Sequence, residues 1–279
     1  MNHNVSNDAG SAAERFRALH ESFFVMPNPV DRGTARLLAG MGFDAIATSS
    51  AGLAWTLGLP DGGIDRATAI AHAADIADST GLPVNGDFEA GYGDTPEEVA
   101  ETVRQAIDAG VAGCSVEDLW RNGPDTFYDE ATACRRLEAA REAIDKASSA
   151  FVLTGRAEMF LTKHPDPFPE ALSRLKAYAN AGAHVVYAPG LTAPGHVAEI
   201  VDRVPVPVNV IAGLGGVSND LAELKALGVR RISLGSGLAK VALGAFISSA
   251  EALREGRIDL TGATSSGRLH KSFSAKPGA

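Results

Sequence analysis

The feature that most constrains the fold is a repeat in which short apolar or β-branched runs alternate with longer segments rich in Ala, Leu, Glu and Arg. The long segments have the period of amphipathic helices, and the short runs have the length of buried strands. This alternation is typical of parallel α/β folds. Eight runs are predicted as strands: Phe23–Asn28, Asp44–Ser50, Pro83–Glu89, Gly113–Asp118, Phe151–Glu158, His184–Gly190, Pro207–Gly213 and Arg231–Ser236.

Short phrases that contain glycine precede many of the predicted strands, among them STGLPV (79–84) and NAGAHV (180–185). A glycine just after a helix can take the left-handed conformation that ends it. Eight βα units in 279 residues fit one (β/α)8 TIM-type barrel better than an open sheet. We therefore expect an N-terminal extension with a helix at 1–22, a catalytic barrel at 23–255 and a polar tail at 256–279 that is mobile or contacts a partner.

Composition argues against several functional classes. The chain has 34 acidic and 25 basic residues and no basic run longer than two, so we expect no nucleic-acid partner. Cys114 and Cys134 form neither a disulfide framework nor a Cys-x-x-Cys pair, which favours a cytoplasmic protein. The first ten residues lack the apolar core of a signal peptide, and no apolar run approaches the roughly 18 residues of a membrane span. No membrane partner is expected.

Polar residues that close an apolar run are the candidate functional residues, because the carboxyl ends of the strands form the active-site rim of a parallel barrel. These residues are Asn28, Ser49, Asp87, Glu89, Glu117, Asp118, Arg156, Glu158 and Asn209. Asp61 lies in the loop after the second predicted strand and can reach the same rim.

Asp87 and Glu89 suggest a metal site. In an extended strand they point to the same side and repel each other, and Glu117 closes the next strand. A divalent cation would relieve this repulsion, and oxygen-only ligands favour Mg²⁺ or Mn²⁺ over Zn²⁺. The alternative is that these acids cap helices or form salt bridges. Three carboxylates on adjacent strand ends favour the metal.

Arg156 closes the run Phe151–Gly155, where its guanidinium can hold a substrate carboxylate and offset the charge of an enolate. An ion pair with Glu158 or Glu117 is the alternative interpretation.

Two small-residue loops complete the set of candidates. Ser49, Ser50 and Gly52 offer hydroxyl and backbone donors to a carboxylate, or simply begin a helix. Gly91, Tyr92 and Gly93 form either a rim loop close to the ligand or an ordinary turn.

Four motifs in order carry a resemblance to a known family: ATSSAGLAWTLGLPDGG (47–63), LPVNGDFEAGYG (82–93), AGVAGCSVED (109–118) and LTGRAEMF (153–160). With them the chain resembles the isocitrate lyase / phosphoenolpyruvate mutase superfamily from about Phe23 to Gly244. The resemblance implies a Mg²⁺-dependent (β/α)8 barrel that acts on small 2-oxo or 2-hydroxy carboxylates through enolate-like intermediates. It also implies a homotetramer that exchanges its last helix between subunits. By the same resemblance Ser49 binds substrate, Arg156 grips it, and the metal shell is Asp61, Asp87, Glu89 and Glu117.

The chain departs from the family pattern at two places. The family commonly has Asp-x-Asp before Gly-Tyr-Gly, whereas the second acid here is Glu89. The family's lyases carry a Lys-Lys-Cys-Gly-His type segment after the fourth strand, whereas residues 117–130 here read EDLWRNGPDTFYDE, without Cys, His or Lys. The mutases share with this loop only Asn122, by residue type. Residues 119–129, which include Gly123 and Pro124, form either a lid or a surface connection.

The expected function is cleavage of a C–C bond, by decarboxylation or retro-aldol chemistry, in a carboxylate such as oxaloacetate or 2-methylisocitrate. Tyr128, Glu158 and Tyr92 are candidates for an acid or base, with no basis for a choice among them. The alternatives are phosphonate chemistry of the mutase or hydrolase type, a phosphate-binding barrel that uses the glycine-rich loops 212–220 and 233–240, and a non-catalytic family member.

Overall fold

The computed structural model describes residues 10–120, 126–162, 164–213 and 216–274. Every predicted run contains one strand of an eight-stranded parallel sheet, which confirms the predicted fold class. The barrel strands are β1 (Phe24–Met26), β2 (Ile46–Ala47), β3 (Val84–Asp87), β4 (Gly113–Glu117), β7 (Val152–Arg156), β8 (Val185–Tyr187), β9 (Val208–Ile211) and β10 (Arg231–Ser233).

The sheet curves into a nearly closed barrel with the strand order β1-β10-β9-β8-β7-β4-β3-β2. At the seam the Ala47 N–H, in β2, donates to the Pro27 carbonyl just beyond β1, over 3.1 Å. The buried Asn28 side chain spans the same seam, because its amide donates to the Thr48 carbonyl and its oxygen accepts from the Leu234 N–H, each over 2.9 Å. A rim residue predicted from the sequence therefore joins three strand ends.

Helices surround the barrel, and most of them bury one face against it. Their bounds are α1 (Ala12–Leu19), α2 (Arg32–Gly40), α3 (Ser50–Thr56), α4 (Arg66–Thr80), α5 (Pro96–Asp108), α6 (Glu130–Lys146), α7 (Pro167–Asn180), α8 (Pro194–Arg203), α9 (Leu221–Ala226), α10 (Gly237–Arg254) and α11 (Ser266–Ser274). The main hydrophobic core lies between helices and strands, where Val103 and Leu137 meet Val84 and Leu153.

Local signals in the sequence explain where helices start and stop. Helix α5 begins after Thr95, whose side chain and that of Glu98 cap each other's backbone N–H, with Pro96 in the first turn. Helix α4 ends at Gly81, where a φ of 69° is the left-handed conformation that favours glycine.

Helix α1 covers the bottom of the barrel, where an extra helix was predicted. Phe16 is fully buried in a cluster with Phe24 and Val152. The Arg17 guanidinium also donates to the Phe151 carbonyl over 3.1 Å.

The loop after β4 contains a small antiparallel hairpin that the sequence did not predict, formed by β5 (Leu119–Trp120) and β6 (Thr126–Phe127). Asn122, Gly123 and Pro124 of the predicted lid lie outside the described residues.

The C-terminal part carries two helices. Helix α10 exposes several apolar side chains, including Val241 and Phe246. The segment predicted as a polar tail contains α11, which lies against α2, where the Arg36 guanidinium donates to the Phe273 carbonyl over 2.8 Å. None of the described helices has both the length and the apolar character that a membrane span requires.

Candidate active site

A cavity of about 310 Å³ opens at the carboxyl ends of the barrel strands and extends into the barrel. A volume of this size suits a small ligand. Seven predicted site residues line it: Asn28, Ser49, Ser50, Asp61, Asp87, Arg156 and Asn209. The carboxyl-end rim is thus where these side chains meet, as expected for a parallel barrel.

Asp87 is held rigidly at the end of β3. Its N–H donates to the Thr48 hydroxyl over 2.8 Å, and its Oδ2 accepts from both the N–H and the hydroxyl of Ser50, each over 2.9 Å. Ser50 is the first residue of α3, so its N–H has no partner within that helix and can donate to an anion. The first turn of α3 therefore fixes one oxygen of Asp87.

Ser49 and Gly52 take the simpler of their two predicted roles in the structure. The Ser49 hydroxyl accepts from the Gly52 N–H over 3.2 Å and so caps α3. The Ser50 N–H and hydroxyl both donate to Asp87. This loop therefore begins α3 and orients the Asp87 carboxylate.

Arg156 lies between three carboxylates. Its Nη1 is 3.2 Å from Asp87 Oδ1 and 3.2 Å from Glu117 Oε2, and its Nε forms an ion pair with Glu158. Glu117 and Arg156 are register partners on β4 and β7, which places both side chains on one face of the sheet. The ion pairs of Arg156 with Glu158 and Glu117, which the sequence analysis gave as the alternative interpretation, are present in the structure. Side-chain exposure falls from 17% for Arg156 and 16% for Asp87 to 1% for Glu117.

Burial shapes the protonation of this cluster. Burial raises the pKa of Glu158, and the neighbouring Arg156 opposes that shift. Burial lowers the pKa of Arg156, but Glu158, Glu117 and Asp87 more than compensate and hold it well above its ordinary value. The guanidinium is therefore permanently charged, while Glu158 takes up a proton more readily than a carboxylate in water.

A second layer of charged groups supports Glu158 from behind. The Glu158 N–H donates to Asp118 Oδ1 over 3.0 Å, and Asp118 Oδ2 accepts from Tyr178 over 2.6 Å and from Arg174 over 3.1 Å. Sequence reasoning placed Asp118 at the rim but missed Arg174 and Tyr178. Their four-residue spacing on the buried face of α7 was the available signal.

The Gly91–Gly93 loop is clamped from outside by Arg136, another residue that the sequence analysis missed. Arg136 Nη1 donates to the Gly93 carbonyl over 2.8 Å, and Nη2 donates to the Ala90 carbonyl. Gly91 and Tyr92 both have positive φ, 84° and 53°, so the loop is a tight turn. The clamp holds that turn in place on the rim.

Tyr128, a candidate acid or base, belongs to the same clamp. Its hydroxyl donates to Asp94 Oδ1 over 2.7 Å, and its ring lies 3.9 Å from the Arg136 guanidinium carbon. Burial and then the hydrogen bond to Asp94 raise its pKa to about 12. Tyr128 therefore suits a structural role better than proton transfer near neutral pH.

The two cysteines are poor nucleophiles. Burial raises the pKa of Cys114 far above its usual value and raises that of Cys134 to about 11.

Comparison with known proteins identifies the family. Residues 16–254 match the family model described as phosphoenolpyruvate phosphomutase. The chain belongs to this family.

Relatives and solved structures agree with this assignment. A structure of a Burkholderia cenocepacia J2315 protein, described as a lyase/mutase, is 44% identical, with a TM-score of 0.91 and coverage of 95% of this chain and 96% of that one. A 2-methylisocitrate lyase of Bacillus subtilis (strain 168) is 28% identical over 210 residues, which are 74% of this chain and 68% of the relative. Oxaloacetate acetylhydrolase, solved with oxalate, is 27% identical, with a TM-score of 0.83 and coverage of 94% and 93%. The chain is thus an enzyme of the C–C lyase or mutase type in the isocitrate lyase / phosphoenolpyruvate mutase superfamily.

In this phosphoenolpyruvate mutase family member, Glu89 does not follow the strand argument that paired it with Asp87. Strand β3 ends at Asp87, and Glu89 is buried with a φ of 48°, outside the extended region. The fully buried Phe88 ring folds back over Gly86, where a Cβ atom would lie 2.3 Å from the ring. Alternation along a strand therefore does not apply at Glu89.

The family member's cavity offers oxygen ligands of the kind that Mg²⁺ prefers. Asp61, exposed on the loop after α3, and Asp87 both line it. Within the described residues, no group of three or more His, Cys, Asp or Glu is arranged to hold a metal ion. Mg²⁺ usually keeps several waters and takes only one or two protein carboxylates. Asp61 and Asp87 supply two carboxylates of this kind to the cavity, and Arg156 contacts both Asp87 and Glu117.

Proposed function

We propose that this enzyme is a Mg²⁺-dependent lyase that cleaves a C–C bond in a small 2-oxo or 2-hydroxy di- or tricarboxylate, such as oxaloacetate or 2-methylisocitrate. Its relatives named for 2-methylisocitrate and for oxaloacetate support this substrate class. The cavity of about 310 Å³ and its polar lining are compatible with molecules of this size.

The observation that carries the proposal is the group of carboxylates around Arg156. Asp87, Glu117 and Glu158 all lie against its guanidinium, at side chains that are mostly buried. Carboxylates held this close together repel one another, and a cation bound beside them relieves the repulsion. Asp87 also lines the cavity, where a cation can reach it.

Asp87 and Asp61 would hold the Mg²⁺, and Glu89 and Glu117 would complete the metal shell that the resemblance implies. When bound, the ion would act as a Lewis acid on the substrate oxygen next to the bond that breaks.

The protein's own groups would bind and orient the substrate. Within the described residues no ion pair of Arg156 uses Nη2, so this nitrogen is a donor that a substrate carboxylate could accept from. Ser49 and Asn209 line the cavity and would add hydrogen bonds. We retain Gly52, Gly91, Tyr92 and Gly93 as substrate-binding positions from the sequence prediction.

Product analysis tests this function. Purified enzyme is incubated with Mg²⁺, and separately with chelator, against oxaloacetate, 2-methylisocitrate and phosphonopyruvate. Decarboxylation of oxaloacetate yields pyruvate and CO₂, and retro-aldol cleavage of 2-methylisocitrate yields pyruvate and succinate. Metal-dependent formation of either product pair supports the proposal. Release of phosphate, or formation of phosphoenolpyruvate, from phosphonopyruvate alone would contradict it in favour of the phosphonate chemistry that the family model's name suggests.

We also propose that the enzyme functions as a homo-oligomer, with a second copy of this chain covering α10. Val241 and Phe246 on this helix are 67% and 73% exposed, as is Ile258 beyond it at 82%. Exposed apolar side chains clustered on one helix are typical of an interface. The family resemblance supports a tetramer that exchanges its last helix between subunits, and α10 is the helix that follows the last barrel strand.

A further inference from the structure

The interior of the barrel contains a buried arginine that the predicted site does not use. Arg231, the first residue of β10, is 1% exposed and lines the cavity. Its Nε donates to Asn209 Oδ1 over 2.8 Å, its Nη2 donates to the Thr154 hydroxyl over 2.9 Å, and its Nη1 is 3.3 Å from His20 Nε2. Barrel interiors are usually filled by branched apolar side chains, so this polar cluster is unusual.

The hydrogen-bond partners of Arg231 among the described residues are all neutral. Burial and then the charge of Arg231 lower the pKa of His20 to about 3, so the ring is uncharged at neutral pH. Across the described residues, no Asp or Glu forms an ion pair with Arg231, whereas Arg174 has Asp118 and Arg156 has three acids.

This arrangement leaves a charged group in need of an anion. Burial lowers the pKa of Arg231 to about 9, so the group still carries its charge near pH 7. A buried charge without a counter-ion is costly, and the cost is offset if an anion binds. A guanidinium has five N–H donors, and three hydrogen bonds leave two of them for a ligand.

Arg231 and Arg156 face the same cavity. Arg156, Tyr187, Asn209 and Arg231 occupy successive register positions across β7, β8, β9 and β10, and all four line the cavity. The Arg156 guanidinium carbon lies 5.5 Å from the centre of the Tyr187 ring. The cavity thus has one cation at the acidic rim and a second deeper in the barrel, separated by Tyr187 and Asn209.

We propose that Arg231 determines substrate specificity by binding a second carboxylate of the substrate while the first is held at Arg156. This inference rests on the proposed function, because it assumes a 2-oxo or 2-hydroxy acid at the rim. A carboxylate paired with a guanidinium keeps its negative charge, whereas one that leaves as CO₂ surrenders an electron pair and becomes neutral. Arg231 therefore holds a carboxylate that remains in the product, which fits retro-aldol cleavage of a tricarboxylate such as 2-methylisocitrate and not decarboxylation of a dicarboxylate such as oxaloacetate.

The test compares two 2-oxo acids, of which only the longer one has a distal carboxylate. Binding of pyruvate and of 2-oxoglutarate is measured by titration calorimetry in Mg²⁺, for wild type, Arg231→Gln and the control Arg230→Gln. Arg230 is exposed and adjacent in sequence. Wild type should bind 2-oxoglutarate about 10- to 100-fold more tightly than pyruvate, the range expected for one charge-assisted contact. Arg231→Gln should abolish this preference without weakening pyruvate binding, and Arg230→Gln should change neither affinity.

Different failures point to different errors. If wild type binds neither acid, the proposed function fails. If wild type binds both equally, the role of Arg231 is refuted whether or not the variant folds. If Arg231→Gln lowers the affinity for both acids by the same factor, Arg231 is structural and the inference is again refuted.

Discussion

Replacing Arg136 by methionine removes the clamp on the Gly91–Gly93 turn. The Arg136 guanidinium donates to the carbonyl oxygens of Ala90, Gly93 and Asp94, and it lies over the Tyr128 ring. Arg136 itself is 1% exposed, so water does not readily replace it. Methionine keeps an unbranched side chain but has no hydrogen-bond donor.

The size of the effect follows from these contacts. Each buried acceptor left without a donor costs about 1–3 kcal/mol. The variant also avoids the desolvation cost of burying a cation, which offsets part of this loss of stability. We expect a net loss of about 2–4 kcal/mol in the free energy of unfolding, or roughly 4–16 °C in Tm for a domain of this size. Turnover should fall as well, because the turn follows Asp87 and Glu89 directly.

Urea unfolding followed by circular dichroism measures the loss, with Arg135→Met as the matched control. Arg135 is exposed, and its guanidinium donates to the nearby Thr132 hydroxyl on the surface of α6. The control should change stability by less than about 0.5 kcal/mol. Equal losses in the two variants, or a loss below about 1 kcal/mol in Arg136→Met, would refute the clamp.

Three further predictions concern catalysis, pH and assembly. Glu117→Gln should lower kcat by roughly 100-fold or more, because it changes the charge around Arg156. The free energy of unfolding in urea should fall by less than about 1.5 kcal/mol. Retained activity with a large loss of stability would show that Glu117 is structural. Burial is the main reason that the pKa of His20 falls to about 3 and that of His184 to about 4. Below about pH 6.5 the unfolded chain therefore binds more protons than the folded chain, and the free energy of unfolding should fall as the pH drops from there towards about 4. Unfolding measured across this range should show a slope that His20→Gln reduces by up to about 1.4 kcal/mol per pH unit, and an unchanged slope contradicts the assignment. Phe246→Asp should convert an oligomer to smaller species in light scattering coupled to gel filtration, whereas a wild-type monomer would exclude the proposed interface.

Much of the barrel was predictable because its signals are local. A short apolar run forms a strand, a Thr-Pro-Glu-Glu sequence starts α5, and Gly81 ends α4 whatever lies elsewhere in the chain. The rule that polar residues follow the strands to one rim brought Asp87, Glu117 and Arg156 together correctly. Strand periodicity gave the wrong orientation for Glu89, because β3 ends two residues earlier at Asp87.

Glu89 shows why that failure was invisible from the sequence. Its left-handed backbone accompanies the packing of Phe88 onto Gly86, and this contact depends on the core around it. The clamp of Arg136 on Gly93 joins residues 43 apart in sequence, and the contact of Arg231 with Thr154 joins residues 77 apart. No period or local motif encodes such pairs.

The sequence by itself determined the (β/α)8 fold, the family and most of the residues at the rim, because strand length, helix capping and the direction of parallel strands are set by neighbouring residues. Only the tertiary structure decided which charges are paired. Among the residues that the structure describes, it gave Arg156 three acids and Arg231 none, because pairing depends on which side chains a closed barrel buries together.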